Sequence, residues 1–285
     1  MPPVAAVRTD RFPPWHAHVD VWLILGSVVA AYLIWSARHE RDTGQATSAH
    51  DRRLFLSGMA VLFVASEWPL HDLAEHTWYM AHMVQHMAYT LVAAPLLVSG
   101  IPAWMWRSVF RLPVLARLWR SVTLPIMAIA IFNGVLLFTH WPAVVTASVG
   151  SEPLHLALHC LIVLSAVIMW WPVFSPLPEM PPISPPGQIL YLFVQSLVPT
   201  IPASFLTFGH QPLYKVYETF PRLFGISAMT DQLIAGLIMK IVGGLILWGF
   251  IAVIFFRWGT REREQGWDAL ALRDVEADLR VDVTP

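Results

Sequence analysis

Along the chain, apolar runs of bilayer length alternate with short polar stretches. About 20 apolar residues in helical form cross a hydrocarbon core of about 30 Å. Seven runs meet that requirement, at about 20–37, 53–70, 78–99, 123–141, 154–171, 187–208 and 231–256. They predict an all-α, polytopic membrane protein with seven transmembrane helices. The organisation that follows is an extracytoplasmic N-terminal arm over 1–19, a seven-helix domain over 20–258 and a cytoplasmic tail over 259–285. Arg8, Arg11 and Asp20 precede a long first run, not the short apolar stretch and small-residue site of a cleavable signal. Pro199 and Pro202 predict a kink in the sixth span that frees backbone carbonyls.

Composition narrows the class. Of 285 residues, 56% are hydrophobic and 13% charged, and mean hydropathy is +0.56. That charge fraction is about half that of a soluble domain, which argues against a soluble enzyme or a disordered chain. A net charge of −1 gives no basic field for nucleic acid. One cysteine, Cys160, excludes an intrachain disulfide and a CxxC metal site.

Lysine and arginine set the orientation. The loops after the first and third runs and the C-terminal tail carry 13 of them, against 4 on the opposite side, Arg8, Arg11, Lys215 and Arg222. The N-terminus is therefore expected outside and the C-terminus in the cytoplasm. The Pro-rich loop 172–186 has no Lys or Arg, and alternation alone puts it inside. Residues 102–121 mix Trp104, Trp106, Phe110 and Trp119 with four arginines and read as a basic interfacial segment broken by Pro113.

This topology sorts the 12 histidines by depth. His71, His76, His82, His86, His140, His155, His159 and His210 all fall at the outer face or in the outer half of the bilayer. His82 and His86, and again His155 and His159, are four residues apart and so share a helical face. Imidazole binds Zn, Cu, Fe and Ni, and Met80, Met83 and Met87 beside the first pair add thioethers that favour Cu(I). Glu67, Asp72, Glu75, Glu152 and Asp231 lie on the same side, as ligands or as acceptors for the second ring N–H of a ligand. The two in-span pairs are the metal or haem candidates, because intramembrane ionisable groups are costly. His16, His18, His39, His50 and His210 read as ordinary anchors or packing residues. Cys160, at a different helical angle from His159, is expected in the core. Lys240, about 13.5 Å along the last span, is expected to face the bundle interior near Asn133 or Gln195.

The segment HMVQHMAYTLVAAPLLVSGIP (82–102) resembles the integral-membrane CtaG family, assembly factors for caa3-type cytochrome c oxidase. HLALHCLIVLSAVIMWWPV (155–173) and DQLIAGLIMKIVGG (231–244) fit the same family, and the resemblance covers roughly residues 50–258. It implies a multi-pass plasma-membrane protein needed to mature a copper-containing oxidase, with the oxidase subunits as partners. Carried over, the motif residues are His82, His86, His155, His159 and Asp231, with Met239 and His140 beside them. The resulting reading is a noncatalytic factor that binds copper at the outer half of the bundle. Its metal candidates are His82, His86, His155, His159, Asp231, His140, Met83 and Met239.

Three alternatives stay open. An intramembrane zinc hydrolase would use three of the histidines, with Asp231 or Glu75 as base. A haem protein would take one axial histidine from each of two helices. A copper transporter would pass metal inward through the Lys240 layer. A homodimer is compatible with all of them.

Overall fold

The computed structural model describes residues 8–15 and 17–281, with side chains to residue 264. His16 and the ends of the arm and tail lie outside the described residues. Local signals set most boundaries. Val19–Thr43 (α1) stops at Gly44, whose φ of +70° suits glycine and whose amide donates to the Glu40 carbonyl. The Ser48 hydroxyl accepts the Asp51 amide and opens Ala49–Ala65 (α2). Leu70–His76 (α3) follows after a bend of 43°.

Tyr79–Met87 (α4) runs through a π-helical turn at Ala88–Ala93 into Ala94–Gly100 (α5). Together they make one 22-residue helix. Ala103–Val109 (α6) comes next. Proline in the first turn, where no helical N–H is lost, then opens five helices. These are Pro113–Val122 (α7), Pro125–Thr139 (α8), Pro142–Val149 (α9), Glu152–Phe174 (α10) and Pro185–Leu197 (α11). The sixth span breaks at Val198–Pro199 before Thr200–Phe208 (α12), at the expected prolines. Ala228–Leu237 (α13), capped by Ser227, passes a second π turn at Ile238–Val242 into Gly243–Val281 (α14). The arm strand Arg8–Thr9 (β1) pairs in parallel with Arg222–Leu223 (β2).

Among the described residues, five helices are long and apolar enough to cross a membrane, and seven spans result if each of two bent pairs is one span. The expected second span is α2 and α3 with their 43° bend, and the expected fourth is α8, set at 76° to α7. Hydropathy averages over a window and does not register a bend.

The main apolar core lies among α4–α5, α8, α10 and α11–α14, with Trp170, Met83 and Leu192 fully buried. A smaller core joins α1 and α2 to α5, with Tyr32 stacked on Phe55 at 3.8 Å. Outward-facing Leu23, Ile34, Phe63, Leu164, Phe205 and Leu245 give the bundle its apolar, lipid-facing surface.

The arginine-rich loops gather at one end. His39 stacks on Trp104 at 3.9 Å, so the end of α1 meets α6. Trp106, Phe110 and Trp119 pack on Trp171 at the far end of α10. Arg107 donates to Glu179 at 2.8 Å and Arg120 to the Glu179 carbonyl at 3.1 Å, which ties the Pro-rich loop to the same end. The hydrogen bond from Arg107 holds the Glu179 carboxyl below its ordinary value. No residue of α7 is buried.

Two expectations are corrected. Cys160 is exposed on the outer face of α10, because the core-facing stripe of that helix is narrower than its apolar sequence suggests. Lys240 is also exposed and lies over the Phe208 ring at 5.7 Å, an aromatic contact that accommodates the ammonium without a buried partner. The deep polar contact is instead between Asn133 and Gln195, 3.1 Å apart.

One long-range contact fixes where α4 starts. The Asp231 carboxylate, 0% exposed, accepts the Tyr79 amide at 2.8 Å and the Met80 amide at 2.9 Å. No local side chain caps this helix, so α13 supplies the acceptor and the negative charge that its N-terminus favours.

Asp231→Ala is expected to cost about 3 kcal/mol, since it strands two buried N–H donors. Asp231→Asn, which keeps one acceptor oxygen, should cost less. Thermal unfolding in detergent reads the order, and equal stability of all three proteins would contradict the capping role. At Gly100 an added Cβ would fall on the backbone of Phe55. Gly100→Ala is therefore expected to destabilise the α2–α5 contact by about 1–3 kcal/mol. An unchanged unfolding temperature would show that the two helices can separate freely there.

Candidate metal centre

The end of the bundle opposite the arginine-rich loops holds the histidine pairs of α4 and α10. With α4 anchored by Asp231, His82 and His86 point across to α10, which presents His155 and His159. Ring centres are 4.2 Å apart within each pair. Across the pairs, His82 lies 5.7 Å from His155 and 5.6 Å from His159, and His86 lies 5.5 Å from His159. His82, His155 and His159 each offer one nitrogen, and these three atoms lie within 4.8 Å of one another. The last turn before α9 adds His140, 5.4 Å from His86.

The nitrogens on this wall are short of partners. His82 Nδ1, His86 Nε2, His140 Nε2 and His159 Nε2 are buried and make no hydrogen bond. Leaving a buried polar atom unpaired costs free energy, so several at one point call for an ion or water. Other partners orient the rings. His140 Nδ1 lies 2.8 Å from the Leu136 carbonyl, which assigns the proton to Nδ1 and leaves Nε2 as a lone pair. A cavity of about 160 Å³ runs along the wall, lined by His82, His86, His155 and His159 together with Glu75, Glu152 and Thr139.

Three further residues complete the site. Glu75 Oε1 sits 3.4 Å from His155 Nε2 and 3.4 Å from His71 Nε2. Gln85, fully buried, donates to His71 Nδ1 at 2.9 Å and to the Ala65 carbonyl at 2.8 Å. Those contacts put the His71 proton on Nε2, facing Glu75, so His71 positions the carboxylate that faces His155. His18, expected to be an ordinary anchor, is buried beside this group, 3.1 Å from Asp72 and 4.6 Å between rings from His71. The spacing of four between His71 and Glu75 was a legible signal for that pair. Nothing local marks His18, because the arm reaches the site only through the fold.

Other candidates sit elsewhere. Both Asp231 oxygens face the α4 amides, so its contribution is to place His82. Met83 is fully buried in the main core. Met239 lines a separate, deeper cavity of about 30 Å³ with Met87 and Met169. His76 and His210 are exposed. The tryptophan and tyrosine contacts tighten the frame. Tyr214 donates to the His140 carbonyl at 2.8 Å, and the Trp170 indole donates to the Thr90 carbonyl in the π turn at 2.7 Å.

Neutral imidazoles with one carboxylate at the edge fit a borderline or soft ion. The set has no thiolate and leaves a side open to the cavity, which suits an ion that must later leave.

Comparison with known proteins gives one match. No curated protein and no solved structure matches the chain. The family model for cytochrome c oxidase caa3 assembly factors, Caa3_CtaG, matches residues 30–261, which include the second half of α1, all later spans and the whole histidine wall. The chain therefore belongs to the Caa3_CtaG family of cytochrome c oxidase assembly factors, as a multi-pass protein of the bacterial plasma membrane.

Proposed function

We propose that this assembly factor serves the oxidase by holding copper on the histidine wall and giving it up there. The copper is cargo, and the oxidase subunits are the recipient. The observation that carries the reading is the convergence of His82, His155 and His159, with buried, unpartnered nitrogens beside them. His82 and His159 supply neutral nitrogen donors. Glu75 balances part of the charge through its contact with His155. His86 lies one helical turn further along α4, its ring centre 4.2 Å from that of His82 and outside the compact group.

Sidedness supports the same reading. The arginine-rich loops gather at one end of the bundle and the histidine pairs of α4 and α10 at the other, and the positive-inside rule puts the arginine-rich end in the cytoplasm. The wall then faces outward, the N-terminus lies outside and the C-terminus lies in the cytoplasm. In a Cys160→Ser background, a cysteine placed at His210 should react with an impermeant maleimide in intact cells. Labelling only after lysis would reverse the orientation.

A second reading rests on one specific feature. Three histidines with a neighbouring carboxylate also describe a hydrolytic zinc site with an open position for water. That enzyme would turn over a lipid or peptide amide with zinc bound, whereas a copper carrier turns over nothing. A haem is a poor fit. The rings of α4 and α10 already pack against one another, which leaves no room for a porphyrin between them.

The copper reading predicts a defect in the recipient. In cells carrying His82→Ala with His159→Ala, the oxidase should be made and should carry haem. Its copper per haem should fall several-fold while the variant assembly factor stays at its normal level in the membrane. Metal analysis of the purified oxidase checks this. A fully copper-loaded oxidase would overturn the proposal.

A further inference from the structure

The histidine wall has more donors than one ion uses. His82, His155 and His159 form the compact group, and His155 has Glu75 beside it. Outside that group, His86 and His140 face each other from α4 and the end of α8, with ring centres 5.4 Å apart at 84°, and the His86 ring centre lies 4.2 Å from that of His82. His86 is 5% exposed and His140 6%. Both Nε2 atoms are buried and make no hydrogen bond. The Leu136 carbonyl occupies His140 Nδ1, so its remaining nitrogen is a fixed acceptor. The two Nε2 atoms make no hydrogen bond to each other, and an electrophile between them would satisfy both.

We propose that His86 and His140 form a second metal position, separate from the three-histidine position and selective for a univalent soft ion. The inference rests on the metal reading of the wall and extends it from one ion to two. Charge sets the selectivity. Among the described residues no carboxylate pairs with either ring, whereas Glu75 serves the three-histidine group. A buried site made of two neutral ligands offers little to offset a double charge. Coordination number points the same way. Zn(II) wants four ligands, and a pair supplies two. Univalent copper and silver are satisfied by two.

The cavity that lines the first position reaches the second. His86 and Thr139, the neighbour of His140, both border it. An ion can pass from one position to the other by exchanging imidazole ligands, with no change in its charge.

Metal stoichiometry of the full-length protein in detergent tests this, with Ag(I) as an air-stable univalent probe and Zn(II) as the divalent one. The wild-type protein is expected to bind two silver ions and one zinc ion per chain. His140→Ala should bind one silver and still one zinc, and His86→Ala should do the same. Retained zinc shows that each variant is folded. One silver per chain in the wild-type protein, or two in both variants, would overturn the second position and leave the first intact. Failure of the wild-type protein to bind either ion would overturn both. Loss of zinc along with silver in His140→Ala would also overturn the inference, by making the five histidines one site.

Discussion

The geometry of the histidine wall depends on the carboxylate of Asp231. A helix that begins inside a bundle exposes amides that lipid cannot satisfy, so its start must be capped by another part of the chain. Asp231 does this for α4 from 152 residues away in sequence, at the amides of Tyr79 and Met80. His82 follows within one turn, so its axial position is set by that contact. α13 and α4 are locked at the same depth, and the Tyr214–Gln232 bonds pin the intervening loop over the site.

Rigidity continues inward from there. The π turn below His86 releases backbone carbonyls, and the Trp170 indole takes the one at Thr90. The Thr90 hydroxyl in turn bonds the His86 carbonyl at 2.7 Å. α10 therefore touches α4 both at the histidines and one layer deeper. Gln85 couples the same helix to α2 and to His71. A site whose donors are all fixed by neighbours pays little ordering cost on binding an ion. Its openness to the cavity, and its lack of thiolate, are what allow release.

Much of this was legible in the sequence. The apolar runs yielded the helices, and a spacing of four placed His82 with His86 and His155 with His159. The arginines of 38–53 and 102–121 marked one end of the bundle. What was not legible depended on bends and on side-chain direction. The fourth apolar run is helical only from Pro125, and α7 before it turns away by 76°. Lys240 and Cys160 were expected inside, because depth along a helix is readable from sequence and the outward angle is not. Asp231 was legible as important by its burial in an apolar run, but its role as a cap needed the fold. His18 needed it too.

The central claim is that imidazoles of α4 and α10 hold copper. X-ray absorption at the copper edge of the purified, Cu(I)-loaded protein tests it most directly. The account predicts a first shell of nitrogen only, with the outer-shell scattering of imidazole rings, and loss of that ring signal when His82, His86, His155 and His159 are all changed to alanine. A sulfur-dominated shell, or a ring signal unchanged in that variant, would contradict it.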